Sequence, residues 1–79
     1  MNILSRLRAD DIGGALQTLP NCETATTKYM EAFYEVPGIG KVIFLCRRFR
    51  YRHGKSVTWF WTAENAILEE DLRRFDQDR

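Results

Sequence analysis

A run of basic and aromatic residues in the middle of the chain could bind nucleic acid. Residues 41–55 include six cations and no acid: Lys41, Arg47, Arg48, Arg50, Arg52 and Lys55. Arginine and lysine neutralise phosphates, and aromatic side chains such as Tyr51 stack on bases. The same composition is also typical of an exposed hairpin at a sheet edge that its charges keep soluble. The sequence leaves both interpretations open.

A pair of tryptophans marks a second candidate site, for contact with another protein. Trp59 and Trp61 are two positions apart, so both side chains would point to the same face of a strand. Tryptophan, tyrosine and arginine concentrate at the hot spots of protein interfaces. We therefore predict a partner-binding surface formed by Phe33, Arg48, Arg50, Trp59 and Trp61. The alternative is a core stripe packed under the last helix, because a small domain uses its large aromatic side chains first for its core.

The chain lacks the residue combinations that catalysis or metal binding requires. Its single histidine, His53, has no serine, cysteine or acid beside it in a recognised catalytic arrangement. Its glycines do not match the phosphate-loop motif, and Cys22 and Cys46 form no CxxC motif. The sequence therefore predicts no enzyme, no metal site, no cofactor and no small-molecule substrate.

Length and composition indicate a single folded domain, residues 1–79. The chain is 44% hydrophobic and 29% charged, which is typical of a globular protein rather than a disordered one. The longest purely apolar run, residues 42–46, is far too short to span a membrane. The first residues lack the apolar core of a signal peptide, so we expect a cytoplasmic protein with reduced cysteines. A compact chain with a basic hairpin also fits the small proteins that phages and mobile elements encode.

The pattern of apolar residues predicts an α+β domain with the order α-β-β-β-α. A first helix is expected over residues 10–19, where Gly13 and Gly14 would allow close packing against a sheet. Three β-rich segments follow, at residues 26–36, 41–52 and 56–61. Thr62 is expected to cap a last helix with an apolar stripe of Ile67, Leu68, Leu72 and Phe75. The strands would form a three-stranded antiparallel meander with both helices on one face.

The two turns determine which residues would face the helices. A four-residue loop at residues 37–40 would pair Tyr34 with Ile43. A two-residue turn at His53 and Gly54 would pair Arg48 with Trp59. The covered face would then carry Met30, Ala32, Tyr34, Ile43, Leu45, Phe49, Tyr51 and Phe60. The other face would stay open and carry the predicted partner-binding residues, although a slip of one residue would exchange the faces along one strand.

These features predict a small non-enzymatic binding module that acts by protein–protein contact through an aromatic sheet face. The partner is a second copy, giving a homodimer, or a different protein that the chain inhibits or serves as an adaptor. The alternative function is nucleic-acid binding through the hairpin of residues 47–55. Salt separates the two functions, because phosphate contacts weaken steeply as salt rises and an apolar interface does not.

Overall fold

A three-stranded antiparallel sheet and two α-helices make up the fold. The computed structural model describes the backbone of residues 2–77 and the side chains of residues 2–73. In chain order the elements are a 3-10 turn (Leu4–Arg6), α1 (Ala9–Gln17), β1 (Tyr29–Val36), β2 (Gly40–His53), β3 (Ser56–Leu68) and α2 (Glu69–Gln77). β2 lies between β1 and β3, so the predicted α+β meander is confirmed. Within residues 2–77, no helix has the length and apolar character needed to cross a membrane.

Helix α1 packs against the sheet much as the sequence predicts. Asp10 and Asp11 lie in its first turn, where they interact favourably with the positive end of the helix dipole. A Cβ atom at Gly14 would lie 2.6 Å from the Oη atom of Tyr34, so glycine allows the helix to approach β1 this closely. The expectation of close packing at the glycine pair is confirmed for Gly14, whereas Gly13 borders open space.

The turn between β1 and β2 is one residue shorter than predicted. Val36 pairs with Gly40, which leaves a three-residue turn. Gly38 in this turn has a φ of 81°, a left-handed conformation that glycine adopts without steric cost. Tyr34 consequently pairs with Val42, so the predicted register of β1 and β2 was wrong by one position.

This slip exchanges the two faces of β2 relative to the prediction. Val42, Phe44 and Cys46 are buried in the core with α1, although the prediction left them on the open face. The residues wrongly expected on the covered face are Ile43, Leu45, Phe49 and Tyr51 of β2 and Phe60 of β3. Ala32 and Tyr34 of β1 lie on the face covered by α1, as predicted. The error in register changed only which residues of β2 share that face with them.

The turn between β2 and β3 lies one residue later than predicted. Its two residues are Gly54 and Lys55 rather than His53 and Gly54, and Gly54 has a φ of 63°. Positive φ is typical of the two-residue turns that fit the twist of a hairpin. Arg48 pairs with Trp61, two positions beyond its predicted partner. Because the strand period is two, this shift leaves the predicted faces of the hairpin unchanged relative to each other.

Strand β3 continues through the segment that was predicted to begin the last helix. It ends at Leu68 and α2 starts at Glu69, so the predicted helix cap at Thr62 was wrong. The backbone of this segment pairs with β2, and this long-range pairing outweighs the local helix propensity. Ile67 and Leu68 therefore lie in a strand, and the side chain of Phe75 lies outside the described residues.

The core between α1 and the sheet is small. Its buried residues are Ile3, Ala15, Ala32, Val36, Val42, Phe44, Cys46 and Ala66. Phe44 is the one aromatic side chain among them, and three members are alanines. The segment before α1 joins the sheet through the Ile3 amide, which donates to the Ala66 carbonyl at 2.8 Å. Partly buried apolar residues, among them Leu7, Ile12, Leu16 and Trp61, pack around these, but a chain of this length still buries a smaller share of its surface than a larger domain does.

Candidate functional site

The residues predicted to form one partner-binding surface lie on two faces of the sheet. Phe33 is 62% exposed and lies on the open face, opposite to α1. The other four lie on the face that α1 partly covers: Arg48, Arg50, Trp59 and Trp61. These four side chains cannot therefore share a flat contact surface with Phe33.

Two of these side chains hold the loop between α1 and β1 against the sheet. The Arg48 Nε atom donates to the Cys22 carbonyl at 2.7 Å, and its Nη2 atom donates to the Glu23 carbonyl at 3.1 Å. The Trp61 Nε1 atom donates to the Pro20 carbonyl at 3.0 Å. Arg48 and Trp61 thus serve the fold, and Trp61 packs under this loop rather than under the last helix.

The open face of the sheet carries apolar side chains across all three strands. It comprises the odd-numbered residues of β1 and β2 together with their partners on β3. The row nearest the β1–β2 turn consists of Phe33, Ile43 and Ile67. Leu45 lies in the next row, and farther along, the rings of Phe49 and Phe60 stack with their centroids 5.8 Å apart. Polar residues interrupt these rows, because Glu31 and Asn65 flank Leu45, and Arg47 and Thr62 lie between Leu45 and the stacked rings. Ile43 in the first row is only 8% exposed.

Five large apolar side chains on the open face remain between 38% and 62% exposed: Tyr29, Phe33, Leu45, Tyr51 and Phe60. The sequence-based register had assigned Leu45, Tyr51 and Phe60 to the covered face, so these three were missed as surface residues. Alternation along β1 was the signal in the sequence that did point to this face, because Glu31 and Glu35 share the side of Tyr29 and Phe33, and apolar residues occupy the other side.

An arginine paired with a carboxylate lies in the middle of this face. The Arg47 guanidinium is 4.8 Å from the ring centroid of Phe49 and 5.8 Å from that of Tyr29. Its Nη1 atom forms an ion pair with Glu64 at 3.7 Å. Glu64 has no partner on β2, because it is the extra residue of a β-bulge in β3. The bulge therefore brings a carboxylate beside Arg47 and balances its charge.

A depression of about 520 Å³ lies beside this bulge. It is lined by Tyr29, Met30, Glu31, Leu45, Cys46, Glu64 and Asn65. Two of these residues are acids and most of the others are apolar, so the depression can receive a side chain of a partner.

The cysteines are placed in the interior and not at a reactive surface. Cys22 and Cys46 are both free and both buried. Burial raises the pKa of the Cys46 thiol, because the thiolate would lose its hydration, and a backbone hydrogen bond from Ala32 opposes this only in part. Cys46 therefore behaves as a small apolar residue. Among the described residues, no three His, Cys, Asp or Glu side chains come together as a metal site.

Beyond the end of β1, strands β2 and β3 continue as a two-stranded arm, residues 48–61. The last pair between β1 and β2 joins Tyr29 to Arg47, and six further pairs join β2 to β3 before the turn. Every residue from 50 to 58 is exposed. The predicted hairpin therefore exists and projects from the body of the fold. Body and arm together have a longest dimension of 50 Å.

The residues predicted to bind nucleic acid divide between the arm and the body. Those exposed on the arm are Arg50, Tyr51, Arg52 and Lys55. Lys41 lies at the opposite end of β2 as the strand partner of Glu35. Arg47 forms the ion pair on the open face, and Arg48 is bound to the loop carbonyls. The arm therefore presents three cations, Arg50, Arg52 and Lys55, that form no ion pair among the described residues.

Two surfaces of the described residues are thus suited to binding. The open face offers apolar area, and the arm offers positive charge. No family model matches the chain, and no curated protein or solved structure matches it either. Function is therefore inferred from these two surfaces.

Proposed function

We propose that the protein is a non-enzymatic binding module that acts by protein–protein contact through the open face of its sheet. The occupant of this face is a second copy of the chain, so that the protein is a homodimer. The observation that supports this most strongly is the group of five large, exposed apolar side chains on a single face. The two free, buried thiols fit a reducing compartment, and we propose the cytoplasm.

The exposed apolar area is what a protein interface requires. Complete burial of an aromatic side chain removes about 150–250 Å² from water, so five large side chains that are about half exposed offer roughly 500 Å². One side of a standard interface buries about 800 Å², of which about 57%, or roughly 450 Å², is apolar. The open face can therefore supply the apolar part of one such interface.

The charges on the open face favour a copy of the same face as its occupant. The acids are Glu31, Glu35 and Glu64, and the cations are Lys41 and Arg47. Because the two signs nearly balance, two copies of the face can meet without net repulsion. A face of one sign would repel its copy and would require a partner of the opposite sign.

A second copy would also compensate for the small core. Domains of this length commonly gain stability by burying surface between subunits. Two polar atoms, Arg47 Nε and Asn65 Oδ1, are buried without a hydrogen-bond partner among the described residues. Buried polar atoms are nearly always bonded, so a small shift of these two side chains as a second copy docks would let them reach a hydrogen-bond partner.

Sedimentation equilibrium tests this proposal. At roughly 50 µM, well above a micromolar dissociation constant, we expect twice the chain mass of 9.3 kDa. Phe33→Asp should reduce the mass to that of one chain, because the interface would have to bury an unpaired carboxylate. The matched control is Ile39→Asp, since Ile39 is 42% exposed in the β1–β2 turn and lies off the open face. A monomeric wild-type chain, or equal dissociation of both variants, would contradict the homodimer.

A further inference from the structure

We propose that the arm is a second binding site, for double-stranded DNA, and that it acts through Arg50, Arg52 and Lys55. Arg50 and Arg52 lie on the side of the arm opposite to the open face, and Lys55 lies in its turn. The site is therefore independent of the proposed homodimer and remains accessible whether or not two copies associate.

The positive charge of the chain is concentrated on and beside the arm. The arm, residues 48–61, carries four of the twelve cations of the chain, Arg48, Arg50, Arg52 and Lys55, and none of its eleven acids. An exposed hairpin needs charge to stay soluble, but charges of mixed sign serve that purpose equally well. Exclusive use of one sign favours a partner that carries phosphates.

Three cations of the arm are exposed and form no ion pair among the described residues. Both ion pairs formed by the described residues use other arginines, Arg47 and Arg73. Arg50 and Arg52 are exposed and two positions apart on β2, so their side chains point to the same side of the arm. Lys55 extends this positive surface to the turn.

The shape of the arm suits the major groove of B-form DNA. Two strands about 4.8 Å apart, together with the thickness of their backbones, form a ribbon roughly 10 Å wide, and the side chains extend from its two faces. The major groove is about 12 Å wide and admits a two-stranded ribbon. Six strand pairs at about 3.3 Å each give the arm a length of roughly 20 Å. The major groove of double-stranded RNA is too deep and narrow for such a ribbon.

Single-stranded nucleic acid fits the arm less well. Its binding relies on aromatic side chains that stack on bases. Trp59 lies on the basic side of the arm, but the Arg48 guanidinium covers its ring at 3.8 Å from the centroid. Arg50 approaches the same ring at 5.7 Å. Trp59 is thus covered, and the exposed rings of Tyr51 and Phe60 lie on the other side of the arm from Arg50 and Arg52, which leaves phosphate contacts as the main interaction of the basic side.

Fluorescence anisotropy with a labelled random-sequence duplex of about 20 base pairs tests the site. Three phosphate contacts give a log–log salt slope of about −2.7, so the affinity should fall roughly 40-fold between about 50 and 200 mM salt. The double variant Arg50→Gln/Arg52→Gln retains one contact, so its slope should be about −0.9 and its loss roughly 3-fold. Its affinity at the lower salt concentration should already be at least tenfold weaker than that of the wild type.

A second double variant makes the same change of charge at the other end of the sheet. Arg6 and Arg8 border the β1–β2 turn beside Pro37, and Arg6→Gln/Arg8→Gln should keep the wild-type salt slope. Equal urea midpoints for the three proteins establish that the fold is unchanged. The proposal is overturned if the wild type does not bind at low salt, if both double variants lose affinity equally, or if single-stranded DNA or double-stranded RNA of the same length binds more tightly.

Discussion

Replacing Arg48 by glutamine should destabilise the fold, although Arg48 belongs to the basic run that suggests nucleic-acid binding. The side chain donates to the carbonyls of Cys22 and Glu23 and stacks on Trp59 at 3.8 Å. A hydrogen bond from a charged group contributes about 1.5–3 kcal/mol, and a cation on an exposed aromatic ring about 0.5–1 kcal/mol. The bond to Glu23 is exposed and adds little, so the expected loss is about 2–4 kcal/mol.

This loss is large for so small a chain. The core of a domain of this length supplies roughly 3–5 kcal/mol, so Arg48→Gln should leave much of the protein unfolded at room temperature. Arg48→Lys should lose most of the same stability, because an ammonium group cannot reproduce the planar fork that reaches both carbonyls.

Urea unfolding followed by tryptophan fluorescence and far-ultraviolet circular dichroism measures the effect. The matched control is Arg50→Gln, which removes the same charge from a side chain that is exposed and forms no such loop contact. Its free energy of unfolding should change by less than about 0.5 kcal/mol. If Arg48→Gln is as stable as Arg50→Gln, the structural role of Arg48 is refuted. Arg48 would then be a candidate for nucleic-acid binding together with Arg50 and Arg52.

Two further predictions concern the packing of α1 and the buried thiol. Gly13→Ala should raise the free energy of unfolding by up to about 1 kcal/mol, because the new Cβ meets open space and alanine favours the helix. Gly14→Ala should be less stable than Gly13→Ala by about 1–3 kcal/mol, because its Cβ would lie 2.6 Å from the Oη atom of Tyr34. Urea midpoints compare the two, and a more stable Gly14→Ala would contradict the close approach of α1 to β1. Because burial raises the pKa of the Cys46 thiol, this thiol ionises at a lower pH in the unfolded chain than in the folded one. The free energy of unfolding should therefore fall as pH rises from the ordinary thiol pKa to the raised pKa. Between about pH 7 and 10, a range around the ordinary thiol pKa, the free energy of unfolding should fall less in Cys46→Ala than in the wild type. If it falls equally with pH in both proteins, the thiol is not buried.

The order and type of most elements could be predicted because their signals are local. Runs of β-branched and aromatic residues bounded by glycine turns predicted three strands, and helical spacing predicted α1. The end of β3 could not be predicted from local signals. Residues 63–68 include good helix formers, and only their pairing with β2, which is distant in sequence, makes them a strand.

The register of β1 and β2 was wrong because residues 42–46 are apolar at every position. Alternation between apolar and polar residues shows which face of a strand is buried, and this run has none. The turn sequence fits a three-residue loop as well as a four-residue loop. The residues buried on β2 are therefore determined by packing against α1 and not by the local pattern.

The candidate sites were predictable to different degrees. Phe33 could be placed on the open face because β1 alternates clearly, whereas Leu45 and Phe60 depended on the register that failed. The arm was visible as a basic hairpin in the sequence. That Arg48 is bound and Arg50 is free was not visible, because the partners of Arg48 lie 25 and 26 positions away in the chain.

The contact between two copies through the open face is tested most directly by isotope-filtered NMR on a mixture of labelled and unlabelled chains. Such a sample shows nuclear Overhauser effects that pass between copies and suppresses those within one chain. We predict intermolecular effects from the rings of Phe33 and Phe60, which lie on the open face, and none from Trp61, which packs under the loop. Intermolecular effects confined to Trp61 and its neighbours, or none at a concentration well above micromolar, would contradict the proposed homodimer.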